Sequence, residues 1–381
     1  MVLNEEQAQF QAATREFVRR EVTPHAARWE EERAFPRDLL RKMGSMGLMS
    51  VTVPEALGGV GADYVSYALG LMEVAAGDPA LSTVMSGQNS VQCMPLVLFG
   101  SPEQQRRYLL PTTCGEQLGA FALTEPQGGS DASNLKVRAV RTTKGWRIDG
   151  IKSYITCGAI ADWVLVFAKT DASAGSRGIS AFVLPTSAPG YKVLKIEKKL
   201  GQNASDTCEI AFDGVEVPED ALVGNEGQGY KIALSGLEGG RIGIAAQAVG
   251  IAQGALDLAV AYAKERVTFG KAIAQHQAVA LRLGEMACSV EAARQLTLHA
   301  AALKSAGQAC LTEASMAKLL ASETAERVCS DAVQTLGGMG YLVDGGVERY
   351  YRGARVTKIY EGTNDIQKLV ISRMLTGLSA F

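Results

Sequence analysis

The spacing of apolar residues changes twice along this 381-residue chain, and these changes constrain the fold more than any single motif does. From Asn4 to about Leu118 the apolar residues recur at helical spacing, and short strand-like runs then replace them as far as Val217. After the glycine-rich segment 224–229, helical spacing returns and persists. The pattern predicts a mainly α, α+β protein with three domains: N-terminal α-helical (1–118), middle antiparallel β (119–226) and C-terminal helical bundle (227–381).

Local patterns predict the elements within these domains. Helices are expected from Pro36 to near Gly47, over 67–76 and 79–100, and after the capping sequence Ser101-Pro102. A hairpin is expected over 137–150, followed by strands at 163–168, 179–184 and 208–212. In the C-terminal domain, helices are expected over 242–265, from Val279 to Ala300, and over 312–336.

Composition and charge exclude several classes of protein. The chain is 47% hydrophobic and 20% charged with a net charge of -2, which fits a globular protein and not a nucleic-acid-binding surface. The N-terminus resembles neither a signal nor a transit peptide, and polar residues, Gly and Pro interrupt the uncharged run 79–102. We therefore expect a cytoplasmic protein without membrane insertion. Seven cysteines without a C-x-x-C pair predict free thiols and no metal site.

The segment Arg355–Gln367 contains the strongest single candidate for catalysis, Glu361. β-branched residues predict that the segment starts extended, and Thr363 or Asn364 fits the N-cap of a helix that stops near Gly377. The apolar residues of that helix are expected to anchor the turn by packing: Ile366, Leu369, Val370 and Met374.

Glu361 itself lies between these two elements, beside Ile359, Tyr360 and Gly362. Apolar neighbours raise the pKa of a carboxyl group, and a glycine lets a substrate approach the backbone, so Glu361 fits a general base. A solvated loop residue would have the same neighbours, and this segment does not separate the two interpretations.

Three further tracts are unusual for simple connections. A strand runs into a Pro/Gly turn over 121–131, and Tyr154-Ile-Thr156-Cys-Gly158 follows the hairpin. Their hydroxyls and turn amides can hydrogen-bond a flat polar ring system on which Tyr154 can stack, although each alone also fits an ordinary capped turn. The third tract, 265–277 with 334–340, combines arginine and glycine-exposed amides that suit a pyrophosphate, or equally a solvated arginine and a helix C-cap.

Taken together in their order, these tracts resemble the acyl-CoA dehydrogenase family over essentially the whole chain. The shared motifs are Phe-Ala-Leu-Thr-Glu-Pro-x-x-Gly-Ser-Asp, Tyr-Ile-Thr-x-Gly, Glu-Arg-x-x-Phe-Gly, Gln-x-x-Gly-Gly-x-Gly and Ile-Tyr-Glu-Gly-Thr-Asn-Asp-Ile-Gln. The resemblance implies a middle β-barrel or sandwich, a C-terminal four-helix bundle, and an FAD-dependent acyl-CoA dehydrogenase of the short-chain or short-branched-chain type.

The resemblance also implies roles for residues. Glu361 matches the base that removes the α-proton of the acyl thioester while the β-hydrogen leaves as hydride to the flavin N5. Some members carry the base just before an arginine on the long helix, and here that position is Gly240, before Arg241. The enolate is stabilised in the family by the backbone N–H of the base residue and a flavin hydroxyl.

Two sets of binding residues follow by position. The residues that match FAD contacts are Phe121, Leu123, Thr124, Ser130, Tyr154, Thr156, Thr363 and Asp365, with Arg266, Phe269, Gln277, Gln334 and Gly338 reaching FAD across a subunit interface. The residues that match substrate contacts are Ser130, Glu238, Arg241, Tyr360 and Gly362. Many members have Trp where this chain has Tyr154, so we expect flavin to be retained with altered packing. The family further implies an electron-transfer flavoprotein as partner and a homotetramer, a dimer of dimers.

Other interpretations remain open or can be set aside. A protein with the same fold could act on an acyl-carrier-protein thioester, use O₂ as acceptor, or serve as a non-enzymatic scaffold. A serine hydrolase built on Gly128–Ala132 is disfavoured because a strand follows instead of the helix of a nucleophile elbow, and the glycines of 337–340 do not complete a Rossmann fingerprint. The segment 79–102, which resembles the acyl-pocket wall, has no Lys or Arg, so we expect a neutral acyl chain and not a glutaryl group.

Overall fold

The structure is a computed structural model that describes residues 1–379, apart from the side chain of Glu238. It confirms the predicted order of a helical region, a β region and a second helical region. The helices of the first region are α1 (Glu5–Glu21), α2 (Ala26–Glu32), α3 (Arg37–Ser45), α4 (Tyr64–Gly77), α5 (Pro79–Gly87), α6 (Cys93–Phe99), α7 (Pro102–Gln104) and α8 (Leu110–Thr113).

Side-chain caps set the starts of several of these helices, and the one at Ser101 is predicted from the sequence. Ser101 accepts a hydrogen bond from the Gln104 backbone N–H while the Gln104 side chain bonds back to Ser101, which is a capping box. Asp78 caps α5, where Pro79 occupies the first turn. Between α5 and α6 the uncharged run contains a π-helical turn, Gln88–Gln92, and all five of its residues are buried.

The β region is one eight-stranded sheet. Its strands are β1 (Gly119–Ala122), β2 (Arg138–Thr142), β3 (Gly145–Thr156), β4 (Trp163–Lys169), β5 (Ile179–Pro185), β6 (Tyr191–Ile196), β7 (Thr207–Val217) and β8 (Leu222–Val223). The spatial order is β6-β7-β3-β2-β4-β5-β8, with β1 paired to β4. The predicted hairpin forms between β2 and β3, with Thr142 opposite Gly145.

Two features of the sheet differ from the sequence-based expectation. Most pairings are antiparallel, but β4 pairs in parallel with β1 and, at Lys169, with Arg138 of β2. The β2–β3 hairpin lies between β1 and β4 in the chain and serves as the crossover that parallel strands need. Strand β6 was not predicted. It is an edge strand in which five of six residues are exposed, so it lacks the alternation of a half-buried strand.

The second helical region contains the long helices and the main helical core. Its elements are α9 (Gly229–Glu265), β9 (Val267–Thr268), β10 (Lys271–Ala272), α10 (Gln277–Ser305), α11 (Leu311–Leu336), α12 (Gly338–Tyr341), α13 (Val347–Ala354) and α14 (Asn364–Thr376). Helix α9 packs against α11 and α4. Gly250 permits the close approach to α4, since a methyl group there would lie 2.2 Å from the Met72 carbonyl oxygen.

Helix α9 is long and apolar enough to cross a membrane by length and composition alone. Its most apolar window is 72% buried inside the protein, which is what a core helix requires.

All seven cysteines are free thiols.

The prediction of an extended start for the segment Arg355–Gln367 is wrong. Residues Arg355–Lys358 form a 3₁₀ turn that continues from α13. The Thr357 side chain is buried and donates a hydrogen bond of 2.7 Å to the Ala354 carbonyl three residues earlier. This burial and local bond override the strand preference of the β-branched residues. Thr363 is the N-cap of α14, and Gly377 ends that helix with a φ of 72°.

Candidate active site

Glu361 occupies a turn whose backbone is left-handed at two successive residues. Its φ is 55°, and that of Gly362 is 89°. A non-glycine residue in this region costs free energy and persists only where its surroundings hold it there. In this conformation the Glu361 side chain reaches Gly240 of the long helix α9.

Polar contacts hold this turn. Gln367 Nε2 donates to the carbonyl oxygens of Glu361 (3.3 Å) and Gly362 (2.9 Å), and Lys318 Nζ donates to the same Gly362 oxygen at 2.8 Å. The buried residues of α14 are Asn364 and Gln367. This corrects the expectation of anchoring by Ile366, Leu369, Val370 and Met374, of which Met374 is exposed and the others are only partly buried.

The carboxylate of Glu361 lies against the backbone of Gly240. A methyl group at Gly240 would be 2.2 Å from Oε2 of Glu361 and 2.8 Å from its Cδ. Oε2 is buried and has no hydrogen-bond partner among the described residues. Burial raises the pKa of Glu361 to about 7, against the opposing effect of the Arg241 and Lys318 charges. Position 240, where some members of the family carry the base, is a glycine in this chain and so leaves space for the Glu361 carboxylate.

Hydroxyl and amide side chains surround the next turns of the same α9 face. Gly243 faces Tyr67 and Ser86, since a methyl group there would lie 2.4 Å from the Tyr67 hydroxyl oxygen and 2.6 Å from Ser86 Oγ. Gln247 follows at the next contact position and donates to Ser82 Oγ (2.8 Å) and Thr83 Oγ1 (2.7 Å). The Tyr360 hydroxyl donates to Gln247 Oε1. These bonds close the space between α5, α9 and the turn formed by Glu361 and Gly362, which we call the base turn.

The first two tracts of the predicted flavin site are joined by buried hydrogen bonds. The Ser153 backbone N–H donates to the Thr124 carbonyl at 2.9 Å. Lys152 Nζ donates to the Leu123 carbonyl (2.9 Å) and to Glu125 Oε1 (2.8 Å), and both ionic side chains are at most 1% exposed. The structure thus brings Leu123 and Thr124 next to the strand that carries Tyr154 and Thr156.

The side chains of these tracts fit a flat polar ring. Tyr154 has a φ of 59° and is 67% exposed, so its aromatic face is open to a ligand. The hydroxyls of Thr124 and Thr156 are partly exposed, and neither has a hydrogen-bond partner within residues 1–379. Unpartnered hydroxyls beside an exposed aromatic ring are the donor set that an isoalloxazine can use. Phe121, by contrast, is partly buried and packs on Phe167, with ring centroids 4.9 Å apart.

The third tract lies apart from these residues within one chain. Its predicted members are all exposed: Arg266, Phe269, Gln277, Gln334 and Gly338. Phe269 sits at the tip of the β9–β10 hairpin with a φ of 50° and is 97% exposed. No hydrogen bond between described residues joins this set to Thr124 or Tyr154. The family resemblance implies that this set reaches FAD across a subunit interface.

The remaining predicted residues lie on α9, at the start of α14 and in the turn after β1. Thr363 is partly buried at the start of α14, Asp365 and Ser130 are exposed, and Arg241 follows Gly240 on α9. Glu238 lies on the same helix, and its side chain is outside the described residues. A cavity of about 570 Å³ lined by Arg15, Glu73, Asp257 and Arg294 contains none of the predicted site residues, so it is not the candidate site.

Two residues that shape the site were not assigned a role from the sequence. Lys318 is fully buried in α11, where the buried positions on either side carry small side chains: Ala314, Ser315, Ala317, Ala321, Ser322, Thr324 and Ala325. A lysine at helical spacing among small residues was the available signal. Gln247 could not be recognised in this way, because its contacts come from α5 and the base turn.

Family comparisons cover nearly the whole chain. The family model described as "Acyl-CoA dehydrogenase, N-terminal domain" matches residues 4–116, the middle-domain model matches 120–215, and the C-terminal-domain model matches 227–376.

Individual proteins are similar over almost their full lengths. The human protein "Short-chain specific acyl-CoA dehydrogenase, mitochondrial" is 44% identical over 94% of this chain and 87% of its own. A chain solved under the description "Electron transferring flavoprotein of Acidaminococcus fermentans: Towards a mechanism of flavin-based electron bifurcation" is 43% identical with a TM-score of 0.96, covering 99% of both chains. Butyryl-CoA dehydrogenase from Megasphaera elsdenii is 38% identical with a TM-score of 0.94, covering 98% of this chain and 99% of that one.

Proposed function

This chain belongs to the acyl-CoA dehydrogenase family of flavin-dependent oxidoreductases, and on that premise we propose that it converts a neutral, short or short-branched acyl-CoA to the trans-2-enoyl-CoA. The observation that carries the proposal is the Glu361 carboxylate, which lies against Gly240 with its buried Oε2 unpartnered. A buried carboxylate without a partner is free to accept a proton.

Glu361 is proposed to remove the α-proton of the thioester. The α-proton of a thioester is only weakly acidic. Raising the pKa of Glu361 to about 7 therefore narrows the pKa difference between the proton donor and the base. An acyl chain next to the carboxylate would exclude water and raise that pKa further. The backbone N–H of Glu361 is proposed to donate to the thioester carbonyl, where negative charge develops.

Thr124, Tyr154 and Thr156 are proposed to hold FAD, with Thr363 and Asp365 as further contacts. Their support is the exposed Tyr154 ring beside two unpartnered hydroxyls. When bound, FAD supplies the acceptor for the hydride that leaves the β-carbon. The chain's contribution is to place Glu361 and the thioester so that proton and hydride depart from neighbouring carbons.

The exposed third tract supports a proposed homotetramer. Arg266, Phe269, Gln277, Gln334 and Gly338 are proposed to complete the FAD site of a neighbouring subunit. An aromatic side chain that is 97% exposed at a hairpin tip is unusual unless a partner covers it. Light scattering on purified protein should give the mass of four chains, and a monomer that retains stoichiometric FAD would contradict this arrangement.

The proposed acyl-chain length follows from the distance between Gly240 and Gln247. Seven residues of α-helix span about 10 Å. The bonded network of Gln247, Tyr360 and Thr83 fills the far end of that space. An extended chain adds about 1.3 Å per carbon, from C–C bonds of about 1.5 Å. At that rise about 10 Å holds at most roughly eight carbons, so butyryl and hexanoyl chains fit along this face and a palmitoyl chain does not.

A substrate screen tests this proposal. FAD-loaded protein is mixed anaerobically with butyryl-, hexanoyl-, palmitoyl- and glutaryl-CoA, and the loss of flavin absorbance is followed. We expect butyryl- or hexanoyl-CoA to reduce the flavin fastest, with palmitoyl-CoA at least roughly 10-fold slower. Glutaryl-CoA should not compete, because segment 79–102 supplies no cation for a second carboxylate. Equal rates with glutaryl-CoA would overturn the neutral-chain proposal.

The electron acceptor is tested on the same reduced protein. We propose that an electron-transfer flavoprotein accepts the electrons, in keeping with the solved chain described with such a protein. Re-oxidation should be faster with an electron-transfer flavoprotein than with air. Re-oxidation that depends only on O₂ would contradict this part of the proposal.

A further inference from the structure

Lys318 is a buried cation without a contacting carboxylate. It is 0% exposed, and the oxygens that accept from its Nζ are the Gly362 carbonyl (2.8 Å) and Asn364 Oδ1 (3.0 Å). Both acceptors are neutral, and within the described residues no carboxylate lies within salt-bridge distance of the ammonium. Burying an unpaired charge costs free energy, so the presence of a lysine here needs a reason beyond helix packing.

The contacts of Lys318 converge on the base turn. Gly362, whose carbonyl it binds, directly follows Glu361. Asn364 is in turn bonded by Ser322 Oγ at 3.1 Å and donates to Glu323 Oε1 at 2.9 Å, so α11 holds the start of α14 through several side chains. Fixing the Gly362 carbonyl fixes the left-handed backbone that aims the Glu361 side chain at α9.

The charged and titratable groups around Glu361 come from four elements. Arg241 on α9 and Lys318 on α11 favour its ionised form, while burial favours the neutral form. Tyr67 on α4 and Tyr360 beside the base are weak acids whose own pKa values rise, mainly through burial and in part through the Glu361 charge. Burial lowers the pKa of Lys318 to about 8, and the negative charge of Glu361 is the largest effect that opposes this shift. Lys318 and Glu361 therefore interact across the turn.

We propose that Lys318 is a positioning residue for Glu361: it holds the Glu361–Gly362 turn through the Gly362 carbonyl and places a fixed positive charge beside the base. This rests on the proposed function only where it concerns the rate of catalysis. The effect on the protonation of Glu361 does not depend on the proposed function.

The test compares Lys318→Met with Lys318→Arg, both loaded with FAD. Infrared difference spectra across a pH series follow the protonation of the Glu361 carboxyl, which is assigned by its loss in Glu361→Gln. Removing a cation destabilises the carboxylate, so Lys318→Met should move the midpoint of this titration to higher pH, by about one pH unit. Lys318→Arg retains the charge and should keep a midpoint close to that of the wild type.

Flavin reduction by butyryl-CoA provides the second readout. Lys318→Met should retain FAD, lose at least roughly 10-fold in the limiting rate of reduction, and shift the acid limb of the rate–pH profile in the same direction as the infrared midpoint. Lys192→Met is the control, because Lys192 is an exposed lysine on β6 whose partner Asp213 is also exposed and lies outside the proposed site. It should change neither the rate nor the midpoint.

A purely structural role for Lys318 would lower the unfolding temperature without moving the infrared midpoint, and this result would overturn the proposal. If Lys318→Met does not fold, Lys318→Gln, which removes the charge and keeps an amide donor, must show the same shift. A wild-type protein that no acyl-CoA reduces would refute the proposed function, while the infrared midpoints would still decide the role of Lys318.

Discussion

The carboxylate of Glu361 occupies the space that a side chain at position 240 would fill. The sequence offers Glu361 as a candidate from its own segment, because a carboxylate beside a tyrosine, a glycine and a helix N-cap is a local pattern, and the family resemblance then favours a base over a solvated loop residue. At position 240 the sequence shows only that the alternative carboxylate base is absent. Their contact joins α9 to the turn before α14, and no local pattern encodes a distance between residues so far apart in the chain.

Gly240→Ala tests this contact at the residue scale. The added methyl group would lie 2.2 Å from Oε2, so the carboxylate must move away from its position. We predict that flavin reduction by butyryl-CoA slows by about 10²-fold, since small displacements of a reacting group have effects of this size. FAD content should stay unchanged.

Gly239→Ala is the matched control for that variant. Its methyl group would lie 3.4 Å from the Tyr64 ring, which is an ordinary contact, and both changes favour the helix equally. Equal reduction rates for the two alanine variants would show that Gly240 does not determine the position of the base.

At the scale of elements, the sequence predicts helices and strands well where one face is buried. The β2–β3 hairpin and α11 follow the alternating and helical patterns that their burial requires. The prediction fails for the 3₁₀ turn Arg355–Lys358 and for the exposed strand β6. In these two elements burial with a local side-chain hydrogen bond, or an edge position, and not the residue pattern, determines the conformation.

The buried pair of Lys152 and Glu125 links β3 to the Leu123–Thr124 tract. Glu125 also accepts hydrogen bonds from the backbone N–H groups of Lys136 (2.6 Å) and Val137 (3.1 Å), so one carboxylate organises the whole turn. Burial lowers the pKa of Lys152 to about 8, against the attraction of Glu125. Removing one partner leaves the other as an uncompensated buried charge.

We therefore predict that Lys152→Met lowers the free energy of unfolding by about 3–5 kcal/mol and reduces the FAD retained after dialysis. Chemical denaturation and flavin absorbance measure the two effects. Lys192→Met is the control, because the Lys192–Asp213 pair is exposed and such pairs contribute about 0–1 kcal/mol. A Lys152→Met protein as stable as Lys192→Met would refute a structural role for the buried pair.

At the scale of the whole molecule, the helical, β and helical order was predicted from the spacing of apolar residues and is confirmed by the structure and the family comparisons. The division of the predicted cofactor residues into two separate sets was not derivable from spacing, since it depends on how the domains fold together. Those two sets, and the exposed Phe269, are the reason that we propose a site completed by another subunit.

The account as a whole depends on Glu361 acting as the base opposite a bound flavin. The most direct measurement is anaerobic flavin reduction by butyryl-CoA in the wild type and in Glu361→Gln, with FAD content and butyryl-CoA binding measured on the same samples. We predict that the variant retains FAD and binds the ligand but reduces its flavin at least roughly 10³-fold more slowly. A Glu361→Gln protein that reduces its flavin at a rate near that of the wild type would contradict the central claim.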